Sequence, residues 1–174
     1  ADGILMANGA VSLNVANTTI DMSDSSSTGI GINNLAGIDG IQFNNTDIKL
    51  GGSGVGIKTG ASLAANNSGN IDVTDGVGIL FANGYGGATA GDFNLLSSLG
   101  LVIKVIGSGV GVQATLDGNN RSANLETTVQ VNSATGGAAA DILGAKEINN
   151  AGSLTSQSLV AAVLNAGQAQ TIGN

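Results

Sequence analysis

The chain has 174 residues and a mass of 16.8 kDa, and it contains no Cys, His, Pro or Trp. Without Cys there are no disulfides or thiolate ligands, and without His the usual neutral-pH base and the commonest zinc ligand are missing. With 12 acidic against 5 basic residues, the net charge of −7 disfavours nucleic acid and anionic lipid, which both need clustered Lys and Arg.

The length suits one domain. Apolar residues make up 42% but aromatics only 2%, so the interior is expected to be thin and aliphatic. No apolar run approaches the roughly 20 residues of a membrane span, and the opening residues do not read as a signal peptide.

Two short elements alternate along the chain. A degenerate first element stands at Asp2-Gly3-Ile4-Leu5, followed by the triplet Ile20-Asp21-Met22. Next come Gly29-Ile30-Gly31-Ile32 with Ile48-Lys49-Leu50, and Gly54-Val55-Gly56-Ile57 with Ile71-Asp72-Val73. Gly76-Val77-Gly78-Ile79 leads to Ile103-Lys104-Val105 across the longest interval, which holds a Gly-rich insertion at Tyr85-Gly86-Gly87. Gly109-Val110-Gly111-Val112 and Val129-Gln130-Val131 complete the series. Apolar-polar alternation marks strands with one buried face, and repeats of roughly 22 to 33 residues built from strands mark a solenoid.

A single coil cannot bury its apolar side chains alone. Stacked about 4.8 Å from its neighbours, it pairs its backbone in a parallel ladder and aligns its inward residues in columns. The triplets predict one core column of Ile20, Ile48, Ile71, Ile103 and Val129, and another of Met22, Leu50, Val73, Val105 and Val131. A third column follows from Ile32, Ile57, Ile79 and Val112. β-branched residues are stiff and pack well side by side on a pleated surface. The middle residues Asp21, Lys49, Asp72, Lys104 and Gln130 then form an outward column in which charge alternates, a device that resists register slips. The Gly residues of the other strand are expected to face outward as a smooth strip.

Near the end, Leu154, Leu159, Val160, Val163 and Leu164 fit a short amphipathic helix, with Thr155 or Ser156 as its cap and Gly167 as its stop. Residues 1–135 are therefore read as β-solenoid repeats, and 136–174 as a C-terminal coil and cap of the same domain. The fold class expected is all-β: a parallel β-helix of about five coils with a short helical or irregular cap.

The run Asn67-Ser68-Gly69-Asn70-Ile71-Asp72-Val73-Thr74-Asp75-Gly76-Val77-Gly78-Ile79 resembles the repeats of bacterial autotransporter passenger domains and related large surface adhesins. In those proteins Asn-x-Gly-x-Ile-x-Val and Gly-x-Gly-Ile elements recur along a right-handed parallel β-helix. The resemblance covers roughly residues 2 to 132 and implies that the parallel β-helix is right-handed, that the chain is exported to the cell surface, and that it has a role in adhesion, aggregation or matrix contact. No translocator barrel is present in this sequence.

Catalytic readings are weaker. Carboxylate pairs for sugar chemistry would be Asp21 with Asp24, Asp72 with Asp75, or Asp39 with Asp47, and such chemistry needs one pKa raised. These positions read as outward strand or turn residues, and Arg121, the sole Arg, reads as a loop residue. Gly136-Gly137-Ala138-Ala139-Ala140-Asp141 is similar to a calcium-binding nonapeptide but occurs once and lacks its second loop Gly. The Gly-rich elements lack the Lys-(Ser/Thr) and helix of a phosphate loop. Thr18, Thr19, Thr46 and Thr74 are too scattered for an ice-binding rank.

The expectation is thus a non-catalytic structural or adhesive element without a cofactor or metal, extracellular or on a bacterial surface. It would bind itself, another surface protein or a glycan through its side face or coil ends, with no nucleic-acid partner and no membrane insertion by this segment. The alternatives are an exported filament subunit that stacks end to end, and a polysaccharide-active β-helix enzyme.

Overall fold

The computed structural model describes residues 2–117, 120–133, 136–156, 163–164 and 171–173. The first coil holds β1 (Asp2–Leu5), β2 (Asn14–Ala16) and β3 (Thr19–Met22), and the second holds β4 (Ile30–Asn33), β5 (Gln42–Asn44) and β6 (Thr46–Leu50). Then come β7 (Val55–Thr59), β8 (Gly69–Val73), β9 (Val77–Ala82), β10 (Phe93–Val105), β11 (Val110–Thr115) and β12 (Arg121–Val131). The chain finishes with β13 (Ala138–Leu143), β14 (Ala145–Asn150), β15 (Ser153–Ser156), β16 (Val163–Leu164) and β17 (Thr171–Gly173). Every strand pairing is parallel, and the strands stack as a β-solenoid of about five turns.

Three walls enclose the core. The first is the sheet β1-β4-β7-β9-β11-β13-β16. The second runs β3-β6-β8, then the second halves of β10 and β12, and continues into β15. The third begins as the short β2-β5 sheet, passes through the Ile41–Leu63 bridge, and continues in the first halves of β10 and β12 and then in β14 and β17. Val15, Phe43, Leu63, Leu95 and Leu125 bury their side chains behind it.

The ladder of the second wall sets Ile20 against Ile48, Ile48 against Ile71, Ile71 against Ile103, and Ile103 against Val129. Met22, Leu50, Val73, Val105 and Val131 pair rung to rung in the same way. From Ile48 and Leu50 onward these residues are at most 3% exposed, whereas Met22 in the first coil is half-buried. In the first wall Ile4, Ile32, Ile57, Ile79 and Val112 stack in one column. The interior is not purely aliphatic. All three Phe are buried, and Phe81 stacks on Phe93 with centroids 4.6 Å apart.

The glycines face the opposite way from the expected smooth strip. Gly31, Gly56, Gly78 and Gly111 are buried, and a β-carbon on any of them would collide with the neighbouring coil and with the second wall's Ile/Val column. At Gly31 it would sit 2.6 Å from the Gly56 carbonyl oxygen and 2.9 Å from Ile48 Cγ2. At Gly78 it would sit 2.5 Å from the Gly111 oxygen and 2.8 Å from Ile103 Cγ2. The cause is a corner. Gly31 and Ile32 are both buried in succession, so strict alternation fails there and the first two walls close on each other. The outward positions instead carry Ile30, Val55, Val77 and Val110, stacked in register and half-buried.

The turn from the third wall to the second uses left-handed backbone at Asn17, Asn45, Asn66 and Ser97, with φ of 51°, 47°, 61° and 50°. Asn tolerates this region better than most side chains. Buried polar groups beside the turn satisfy the backbone where the ladder breaks. Asn67 Oδ1 accepts from Phe43 N at 2.8 Å, and Thr127 Oγ1 donates to the Leu101 oxygen at 2.9 Å.

The C-terminal helix reading is corrected over the described residues. Ser153–Ser156 forms β15 and pairs with Thr128–Val131, so Thr155 and Ser156 are ladder residues and not helix caps. Val163–Leu164 pairs with β13 and Thr171–Gly173 with β14. The open ladder edge outcompetes a 3.6-residue spacing of apolar side chains. Leu159, Val160 and Gly167 lie outside the described residues. The stretch after residue 135 continues the first wall through β13, the third through β14 and the second through β15.

Candidate functional site

The outward column of the second wall follows from the triplets. Inward Ile and Val fix the two flanking residues of each strand, which leaves the middle residue pointing to solvent. The ladder sets Asp21 beside Lys49, Lys49 beside Asp72, Asp72 beside Lys104, and Lys104 beside Gln130; Thr155 follows Gln130. Asp21 and Lys49 are exposed, while Asp72, Lys104 and Gln130 are half-buried. Hydrogen bonds from Ser23, side chain then backbone, hold the Asp21 carboxyl below its ordinary value; slight desolvation opposes them, and the Lys49 charge adds the smallest effect. The column therefore acts through its pattern more than through any one strong pair. A parallel outward column holds Thr19, Asp47, Asn70, Val102 and Thr128. Within it Asn70 Nδ2 donates to Asp47 Oδ1 at 2.9 Å.

A second array lies on the third wall. Asn124 Nδ2 donates to Asn94 Oδ1 at 2.7 Å, and Asn149 Nδ2 donates to Asn124 Oδ1 at 2.9 Å, which makes an amide ladder over three coils. The sequence carried a signal for it in Phe93-Asn94-Leu95 and Ala123-Asn124-Leu125, two further apolar-polar-apolar triplets. Beside the ladder β10 shifts register between Leu95 and Val102, and a cleft of about 420 Å³ opens, lined by Leu96, Asn124, Leu125, Glu126, Asn149 and Asn150. Ser97 N donates to Glu126 Oε2 at 2.6 Å, which ties the bulge to the next coil.

The insertion after β9 folds back over earlier coils. Tyr85 Oη donates to Asn33 Oδ1 at 2.7 Å, and Asn33 Nδ2 donates to Asp2 Oδ2 at 3.0 Å. Lys58 Nζ lies 4.3 Å from the centroid of the Tyr85 ring, a cation–π contact. The lone Tyr thus straps the first three coils together.

The carboxylates considered for sugar chemistry serve turns and coil contacts. Asp24 Oδ1 accepts from Ser26 N at 2.8 Å and Ser26 Oγ at 2.7 Å, and Asp75 Oδ1 accepts from Ser108 N at 3.1 Å and Oγ at 2.9 Å. These bonds lower both pKa values, whereas a general acid needs a raised one. Arg121 opens β12 and pairs in register with Ala145, so it is a strand residue, not a loop residue. The calcium-like stretch is likewise ladder: Ala138–Ala140 are buried in β13, and Asp141 Oδ2 accepts from Gln113 Nε2 at 3.3 Å. Among the described residues there is no group of three or more acidic side chains that could hold a metal ion, and no helix long and apolar enough to cross a membrane.

Set against known protein families, curated proteins and solved structures, the chain finds no match. Its class is defined by the fold: a parallel β-solenoid with ordered polar columns on its outer walls.

Proposed function

We propose that this chain is a non-catalytic structural or adhesive element of a bacterial cell surface or extracellular matrix. It engages a surface protein, a glycan or itself through its side face or coil ends. One observation carries the reading: register is kept outside the core as well as inside it. The Asp21–Gln130 column and the Asn94–Asn149 amide ladder repeat polar groups at rung spacing, which suits a partner that is itself repetitive. Many weak, evenly spaced contacts then add through effective concentration. The exported setting follows the resemblance of the Asn67–Ile79 repeat to passenger domains.

The test is display of the folded chain on beads, with attachment measured to glycan-coated and protein-coated surfaces. Attachment above that of heat-unfolded chain is expected; equal attachment overturns the reading, as does release of unsaturated products from acidic polysaccharides, which would favour an enzyme.

End-to-end assembly is the alternative: a parallel ladder can continue from one coil stack into another through backbone hydrogen bonds alone. Light scattering that rises with concentration, with fibres in electron micrographs, would favour this arrangement.

A further inference from the structure

The outer face of the second wall reads the same when it is turned over. Along the stack its charges run Asp21, Lys49, Asp72, Lys104, one per rung with none skipped. Reversing an even series of alternating signs inverts every sign. Such a column is therefore complementary to a reversed copy of itself and repels a copy laid in the same direction.

We propose that this face docks on a second copy of the chain with the coils running in opposite directions. The two-fold axis lies along the strand direction between β6 and β8. Asp21 then faces Lys104 of the second copy and Lys49 faces its Asp72, each pair occurring twice as an isologous interface requires. In the neighbouring column Asp47 meets Asn70 of the second copy, and Thr19 meets Val102. Asp47 and Asn70 already hydrogen-bond within one chain, and their remaining polar atoms suit an amide–carboxylate contact. The alternative two-fold axis, along the stack, keeps the coils in one direction and lays Asp21 on Asp21 and Lys49 on Lys49.

The contact is small. Four rungs at about 4.8 Å span roughly 15 Å along the stack, which predicts a weak, reversible dimer and not an obligate one. The net charge of −7 opposes association at long range. Salt screens that repulsion together with the cross-face attraction, so salt dependence alone does not report on the face. The inference takes from the proposed function only the choice of a side face. A chain that fails to adhere to beads can still dimerise, and a monomer can still adhere.

The experiment uses sedimentation velocity on two double variants. Asp21→Lys with Asp72→Lys makes the column uniformly cationic, and Lys49→Asp with Lys104→Asp makes it uniformly anionic. Each is expected to be monomeric alone, while their equimolar mixture associates at least tenfold more tightly than either. A role confined to register within one chain would not produce that rescue. A wild-type chain that stays monomeric near millimolar concentration overturns the proposal, as does a mixture no tighter than its parts. If circular dichroism shows that either variant fails to fold, Lys49→Gln with Lys104→Gln takes its place. That pair removes both positive charges and keeps polar side chains, and it must weaken wild-type association several-fold with the melting temperature unchanged; unchanged association overturns the proposal.

Discussion

Two columns repeat through the same coils and do different work. The Gly31–Gly56–Gly78–Gly111 column lies where the first and second walls close on each other, and its demand is steric: a side chain has no space. The Asp21–Lys49–Asp72–Lys104 column lies on the outer side of the second wall, exposed at Asp21 and Lys49 and half-buried at Asp72 and Lys104, and its demand is a sign pattern. Both are periodic, yet periodicity says nothing about energy. An added methyl group must move packed backbone at the first column, whereas an exposed charge pair contributes little at the second.

Substitutions at matched depth sharpen the contrast. Gly78→Ala should have the largest effect, a loss of about 1–3 kcal/mol, because the new methyl meets the Gly111 carbonyl and Ile103. Urea denaturation followed by circular dichroism measures it, and a loss indistinguishable from zero would mean the corner is looser than its contacts indicate. Lys104→Asp should cost less, up to about 1 kcal/mol, since it places a third carboxylate beside Asp72 on a partly solvated face. A cost equal to that of Gly78→Ala would erase the distinction.

The smallest effect is acid sensitivity. Asp21, Asp24 and Asp75 have folded pKa values below their ordinary 3.8, each through hydrogen bonds from Ser23, Ser26 and Ser108 respectively. Depressed carboxylates stabilise the fold above that value, and their contribution fades as pH falls through the lower folded values. Melting temperature should therefore be insensitive to these groups from pH 5 to 7 and decline below about pH 4. A decline already complete at pH 5 would contradict the assignment.

The second wall was legible in the sequence because each strand offers three residues of fixed class, and Ile48-Lys49-Leu50 can be laid on Ile71-Asp72-Val73 by eye. The third wall was not. Its inward residues change from Val15 to Phe43 to Leu95, and the excursion between Ala82 and Phe93 moves them out of step with the other walls. The glycine direction was misread because period-two counting assumes a straight strand, whereas Gly31 and Ile32 turn a corner together. At Ser153–Ser156 and Val163–Leu164 the helical reading failed because Leu154, Val163 and Leu164 fit a helical spacing, which says nothing of the ladder edges on β12 and β13 that these residues pair with. The candidate columns were half visible: the charge alternation stood out, and the amide ladder was hidden because Asn is so frequent in turns.

The bulge within β10 carries a further consequence. After the excursion at Ser97–Gly100 the ladder resumes with Val102 opposite Asn70 on one side and Thr128 on the other, with the inward Ile and Val back in line. A strand can gain residues at this bend while the coils above and below keep their alignment. The bend is thus a natural docking point for foreign peptide, where an epitope or recognition loop can be grafted without redesigning the barrel of side chains beneath it.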